Sequence, residues 1–302
     1  MKKDIIIHIG FPKTGTTSLQ NSIFSRISSV HYVGNPTALS NYKQRKLLRT
    51  ITDLDDYEFF QNLKHHKEQA NLTIQTEKEK IIISDEAFSV GSAHEGNVDQ
   101  MRICQRLKLL FPQAKILICI REQEKLLISY YTQLFKNINP LQRIDIPFEQ
   151  WLLRQKQLLE YANIFKKFDY WRIYRIYSQI FEKSKIKVIV FEKLIQDLSV
   201  LDKVIGIDIS ENHRLEHNNR KLTKGEMFLQ RLVSSHKYMS SINTLIPTFL
   251  RNTLKSFLKL TPSFNVAHTS ENSRFIQQYY KESNRLLDKE LDLKLKELGY
   301  SC

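Results

Sequence analysis

The chain has 302 residues, 41% hydrophobic and 26% charged. That make-up belongs to a folded globular protein and excludes a disordered chain, and no apolar run is long enough to span a bilayer. The net charge of +14 suits an anionic partner (a nucleotide, an acidic glycan, nucleic acid or an anionic membrane) or reflects a lysine-rich proteome; the basic residues are spread along the chain, so charge alone does not choose.

The first element in the chain is the strand "DIIIHIG", residues 4–10. Its apolar run is short and leads straight into a glycine loop, which favours a strand over a signal peptide. A helix follows from Gly15 to Arg26. Further strands are expected at "KIIISDE" (80–86), "AKILICIRE" (114–122) and "KIKVIVFEKL" (185–194). The first three strands are continuous apolar runs, as expected of strands buried on both faces of a parallel sheet. Helical stretches at about 41–70, 97–110, 123–136 and 148–182 separate them. The expectation is an α/β, P-loop-type three-layer fold whose central parallel sheet gathers ligands at the carboxyl ends of its strands.

After residue 210 the strand signals fade. A polar stretch, "ENHRLEHNNRKLTKGE", precedes helical segments near 223–235, 243–258 and 271–297. No linker or internal repeat interrupts the chain, so a single domain over 1–302 is expected, with a helical C-terminal part from about 210 to 302. Cys104, Cys119 and Cys302 fall at spacings that suit neither a zinc site nor a disulfide framework. Free thiols point to a reducing compartment, hence a cytoplasmic location.

The loop "GFPKTGTT" keeps the frame G-x-x-x-x-G-K-[ST] but puts Thr16 where the lysine belongs. Gly10 and Gly15 let the backbone approach an anion, and the helix N-terminus supplies unpaired N–H groups. Thr16, Thr17 and Ser18 add hydroxyl donors, and the lysine has moved into the loop as Lys13. A triphosphatase uses the helix-start lysine and a neighbouring Thr with Mg²⁺ on its terminal phosphates. A sulfuryl group carries less charge, and its transfer needs no metal if one lysine stabilises the leaving oxygen.

"GFPKTGTTSLQ" resembles the 5′-phosphosulfate loop of sulfotransferases that use 3′-phosphoadenosine 5′-phosphosulfate (PAPS). The resemblance implies that Lys13 contacts the bridging oxygen and that the residues from Thr14 through Gly15, Thr16, Thr17 and Ser18 hold the 5′-phosphate. "LICIREQEKLLISYYTQLF" resembles the same family's 3′-phosphate motif, with Arg121 at a strand end, Ser129 on the next helix, and Tyr131 two residues later. Arginine offers phosphate a planar, permanently charged fork. Gln123 and Leu126 depart from the family's frequent proline and arginine. The tail "QQYYKESNRLLDKELDLKLKELGY" resembles bacterial carbohydrate sulfotransferases, and "HNNRKLTKG" is a candidate counterpart of a basic cofactor loop in heparan sulfate sulfotransferases, with Arg220 and Lys221 as its contacts.

An attacking hydroxyl must lose a proton, so a base is needed. Asp85 and Glu86 end the second recognised strand and face opposite ways if it stays regular. Glu86 is the expected base, by resemblance to glycan sulfotransferases; Asp85 orients Lys13 or caps the next helix, and His94 is the runner-up base. His8, inside the first strand, reads as a core histidine, and the aromatic series Phe165, Phe168, Trp171, Tyr174, Tyr177 and Phe181 as core at helical spacing. The expected activity is transfer of a sulfuryl group from PAPS to a hydroxyl of a glycan or glycolipid, with PAP as product and no metal. Contact with a membrane surface stays open. The alternatives are an ATP- and Mg²⁺-dependent phosphotransferase on the same fold, and a nucleic-acid-binding module, which would leave both phosphate motifs unexplained.

Overall fold

The structure, a computed structural model, describes residues 3–91, 99–135, 146–161, 164–207, 209, 223–228, 253 and 256–302. Five strands, β1 (Asp4–Gly10), β2 (Val30–Gly34), β3 (Lys80–Asp85), β4 (Lys115–Ile120) and β5 (Ile186–Val190), form one parallel sheet in the order β2-β3-β1-β4-β5. The register puts Ile7 of the central strand opposite Ile83 on one side and Ile116 on the other.

Helix α1 (Thr16–Ser18) follows the glycine loop and continues as a π-helical turn over Leu19–Phe24. Then come α2 (Thr37–Ser40), α3 (Tyr42–Thr52), α4 (Asp56–Gln61), α5 (Leu63–Thr73), α6 (Ala87–Val90), α7 (Gln100–Leu110), α8 (Gln123–Phe135), α9 (Phe148–Gln157), α10 (Ile164–Lys167), α11 (Tyr170–Ile180), α12 (Phe191–Leu194), α13 (Ser199–Ile205) and α14 (Ser270–Leu291). Successive strand residues point to opposite faces of the sheet, so each strand feeds two cores. Ile7, Ile9, Ile83, Ile116 and Ile118 pack with α3, α7, α8, α11 and α14. Ile6, Ile82, Leu117 and Cys119 pack on the other face with Leu19, Ile23, Phe24 and α13. The result is the expected three-layer α/β fold. Among the described residues, no helix is long and apolar enough to cross a membrane.

The structure departs from the sequence reading in its details. Strand β2 is not among the expected strands: it has five residues and, among the described residues, pairs with β3 alone at the sheet edge. The stretch 41–70 is three helices, because the Asp55 carboxylate caps α4 by accepting the Glu58 N–H at 2.9 Å and α5 starts afresh after Asn62. The stretch 148–182 also divides, with Asp169 capping α11. The last strand stops at Val190, and "FEKL" turns into α12. Of the helical segments expected near 223–235 and 243–258, a turn over 224–228 and part of the region after 252 are described; the rest lies outside the described residues.

Phe165, Phe168, Tyr174, Tyr177 and Phe181 are buried, with Trp171 partly buried against them, so the aromatic series is core. His8 is fully buried, and its Nδ1 lies 2.8 Å from the Ser84 hydroxyl. Burial pushes the His8 ring down to about 3, so it is neutral.

Candidate active site

The glycine loop leaves the carboxyl end of β1 and turns on two residues with positive φ, Lys13 at 67° and Gly15 at 81°. Gly10 is required by close approach: a Cβ there would lie 2.2 Å from the Thr16 hydroxyl. At Gly15 a Cβ would meet the Phe191 ring at 2.8 Å. The Phe11 carbonyl organises the turn by accepting the Thr14 hydroxyl at 2.7 Å and the Thr16 hydroxyl at 3.1 Å. Thr14 and Thr16 are 0% and 1% exposed, so their side chains brace the loop from inside. Thr17 is partly exposed and Ser18 is 7% exposed, both in the first turn of α1, whose N–H groups have no intrahelical acceptor. The Cys119 thiol lies under the loop, 3.2 Å from the Thr14 carbonyl, and burial pushes it up to about 12.

Arg121 stands one residue beyond β4. Its guanidinium donates to the Lys13 carbonyl at 2.8 Å and lies 5.1 Å from the centre of the Phe191 ring. Its Nε is buried and has no hydrogen-bond partner among the described residues. An orphaned charged donor beside a glycine loop fits an anion such as a phosphate. The next two residues are pinned by distant segments. The Glu122 N–H donates to Glu192 at 3.1 Å, and Gln123 exchanges amide hydrogen bonds with Asn284 of α14. The Glu122 carboxylate accepts the N–H groups of Glu124 and Lys125 and caps α8. Ser129 lies about two turns into that helix, partly buried. Tyr131 is core, 1% exposed, with its hydroxyl donated to the Ile146 carbonyl at 2.7 Å. Leu126 is buried core as well.

At the end of β3 the two carboxylates part company. Asp85 accepts the Ala87 N–H at 2.9 Å and so caps α6, the second of the two roles expected of it. Glu86, the residue just before α6, accepts no side-chain hydrogen bond among the described residues. Burial pushes its carboxyl up to about 7; Asp85 adds to the rise and the Lys13 ammonium opposes it. Loop lysine and candidate base therefore feel each other's charge. Ser89, three residues on, joins their segments by donating to the carbonyls of both Gly10 and Glu86 at 2.9 Å. Behind β3, Gln20 of the π-helical turn donates to the Ser84 hydroxyl at 2.9 Å, so that turn and the base strand also share a buried polar link. Ser89, Gln20 and Ser84 carried no signal in the sequence beyond their nearness to the motifs. His94, Arg220 and Lys221 lie outside the described residues.

The chain matches the family described as sulfotransferase domain over residues 2–284. No curated protein matches it. Among solved structures it is similar to a sulfotransferase from Alicyclobacillus acidocaldarius, with 14% identity and a TM-score of 0.44 over 85% of this chain and 92% of that one. It is also similar to mouse sulfotransferase SULT7A1 complexed with PAP, at 14% identity and a TM-score of 0.44 over 95% and 86% of the two chains. A third is the sulfotransferase domain from the curacin biosynthetic pathway, at 14% identity and a TM-score of 0.40 over 92% and 97%. The chain belongs to the sulfotransferase domain family and is a PAPS-dependent sulfotransferase.

Proposed function

We propose that this enzyme moves the sulfuryl group of PAPS to a hydroxyl of a glycan, in a surface polysaccharide, lipopolysaccharide or glycolipid, and releases PAP. The donor supplies an activated sulfuryl group on a phosphate leaving group. Glu86 takes the proton of the acceptor hydroxyl, and Lys13 places its ammonium against the leaving oxygen. The observation that carries this reading is the pairing of these two: a carboxylate raised to about 7 within the field of the loop lysine, at the carboxyl ends of β1 and β3. Near neutral pH such a group is divided between its two forms, which suits a general base.

The remaining roles fall to the two phosphate motifs. Thr17, Ser18 and the first-turn N–H groups of α1 hold the 5′-phosphate. Thr14, Gly15 and Thr16 contribute backbone and loop shape rather than side-chain donors, since both threonine hydroxyls are turned to Phe11. Arg121 and Ser129 hold the 3′-phosphate, and Arg220 and Lys221 remain candidates for a further contact. Asp85 is a poor base because its carboxylate already caps α6. Most of the rate comes from alignment and fixed charge. The glycan reading is supported by the likeness of the tail to carbohydrate sulfotransferases and by the net charge of +14, which suits an acidic polymer. Three free thiols suit a cytoplasmic reaction.

The test is transfer of radiolabelled sulfate from PAPS to desulfated polysaccharide, lipopolysaccharide, glycolipid extract, a simple phenol and a tyrosyl peptide. Label in a carbohydrate fraction, lost with Glu86→Gln, supports the assignment. Label on the phenol or the peptide alone overturns the glycan reading.

A further inference from the structure

Arg121 poses a backbone problem. Strand β4 pairs with β1 as far as Cys119 and with β5 as far as Ile120, so Arg121 has run out of ladder on both sides. Its N–H and C=O are part-buried all the same, and buried backbone groups rarely go unpaired. One side chain meets both. The Tyr170 hydroxyl donates to the Arg121 carbonyl at 2.7 Å and accepts the Arg121 N–H at 3.3 Å. Tyr170 is 1% exposed, and its ring packs edge-on against Phe11, with centroids 5.2 Å apart. Phe11 is the residue whose carbonyl gathers the Thr14 and Thr16 hydroxyls, so one tyrosine touches the roots of both phosphate motifs. Its own position is fixed from behind: Asp169 caps α11 by accepting the Arg172 N–H and also accepts the Ser283 hydroxyl of α14 at 2.5 Å.

We infer that Tyr170 is a positioning residue for the 3′ side of the cofactor, its phenol clipping both backbone groups of Arg121 and so fixing where the guanidinium stands. This rests on the assignment of Arg121 to the 3′-phosphate. The phenol stays protonated at working pH, because burial and the nearby carboxylates of Glu192 and Glu122 hold its pKa well above the ordinary value. It is therefore always available as a donor to the carbonyl. The hydroxyl meets the Arg121 backbone and acts through it.

Tyr177 supplies the control. It lies two turns further along α11, is equally buried, and its hydroxyl has no hydrogen-bond partner among the described residues. The experiment is calorimetric titration of PAP and of adenosine 5′-monophosphate, which differ only in the 3′-phosphate, into wild type, Tyr170→Phe and Tyr177→Phe. The readout is the ratio of the two affinities within each protein, so partial loss of folded material cancels. Wild type should prefer PAP. Tyr170→Phe should lose about tenfold of that preference through weaker PAP binding alone, and Tyr177→Phe should keep the preference. An unchanged ratio in Tyr170→Phe, or an equal loss in Tyr177→Phe, overturns the inference. A wild type without preference for PAP overturns the assignment of Arg121 instead, and the inference with it.

Discussion

The Arg121 guanidinium donates to the carbonyl of Lys13 at 2.8 Å, so the arginine assigned to one end of the cofactor holds the backbone of the lysine assigned to the other. From sequence alone the two residues divide the labour: lysine for turnover, arginine for binding. The hydrogen bond couples them. Arg121→Ala should raise the KM for PAPS at least tenfold and also lower kcat several-fold, because the Lys13 carbonyl loses its partner. In a double-mutant cycle with Lys13→Ala, the effects on kcat/KM should be less than additive by about 1 kcal/mol or more. Strict additivity would mean that the bond transmits nothing to the reaction.

Lys13 carries a second signature, a φ of 67°. Left-handed backbone is unfavourable for a residue with a Cβ by about 1–2 kcal/mol, and such strain persists where the surroundings enforce it. Removing the amine by Lys13→Ala keeps the strain, whereas Lys13→Gly relieves it. Both variants should lose about 10²–10³ in kcat, the range for deleting one stabilising donor at a developing negative charge. In urea melts, Lys13→Gly should be more stable than Lys13→Ala by about 1 kcal/mol. Equal melts would show that the turn bears no strain at this residue.

How much of this was legible follows from what each feature depends on. The loop, β1, β3 and β4 could be read because burial on both faces demands unbroken isoleucine-rich runs, and because an anion loop needs glycine at fixed spacing. Strand β2 could not, since VHYVG is only five residues long and His31 breaks its apolar run. Thr14 and Thr16 belong to the loop motif, and the structure turns their hydroxyls to Phe11; sequence gives the residue type but not the direction of the side chain. Tyr170 and Asn284 were invisible for another reason. They reach the 3′ motif from 49 and 161 residues away along the chain, and no local pattern encodes such a contact.

Glu86 gives a pH test whose sign is fixed. Its carboxyl rises from 4.5 to about 7, through burial first and Asp85 second, so the free enzyme holds the base protonated below that point. With saturating PAPS avoided, kcat/KM should climb tenfold per pH unit below about 7 and level off above it. Glu86→Gln should remove that limb and most of the activity. Stability should move the opposite way. A raised folded-state value means that the native protein binds more protons than the unfolded chain between the two values, so stability falls as pH rises through that window. Glu86→Gln, neutral throughout, should be more stable than wild type at pH 8 by about 1–3 kcal/mol and should lose that advantage near pH 4. A flat difference across the range would mean that folding does not raise the Glu86 carboxyl.

The last test concerns how α8, which carries Ser129, is fixed. Gln123 donates to Asn284 at 2.6 Å and accepts from it at 3.0 Å, and the Asn284 amide also donates to the Ser301 carbonyl at 3.0 Å. Gln123 is 2% exposed and Asn284 is 0% exposed, so neither amide has water to fall back on. Asn284→Ala should therefore destabilise the protein by about 2–4 kcal/mol, more than a made hydrogen bond contributes, because it strands the Gln123 amide. Adding Gln123→Leu should recover part of that loss, since the stranded amide goes with it. PAP should also raise the melting temperature less in Asn284→Ala than in wild type, the start of α8 being two residues from Arg121. If the single variant melts within about 0.5 kcal/mol of wild type, the pair is a bystander and the fixing of α8 rests on the Glu122 cap and its apolar face alone.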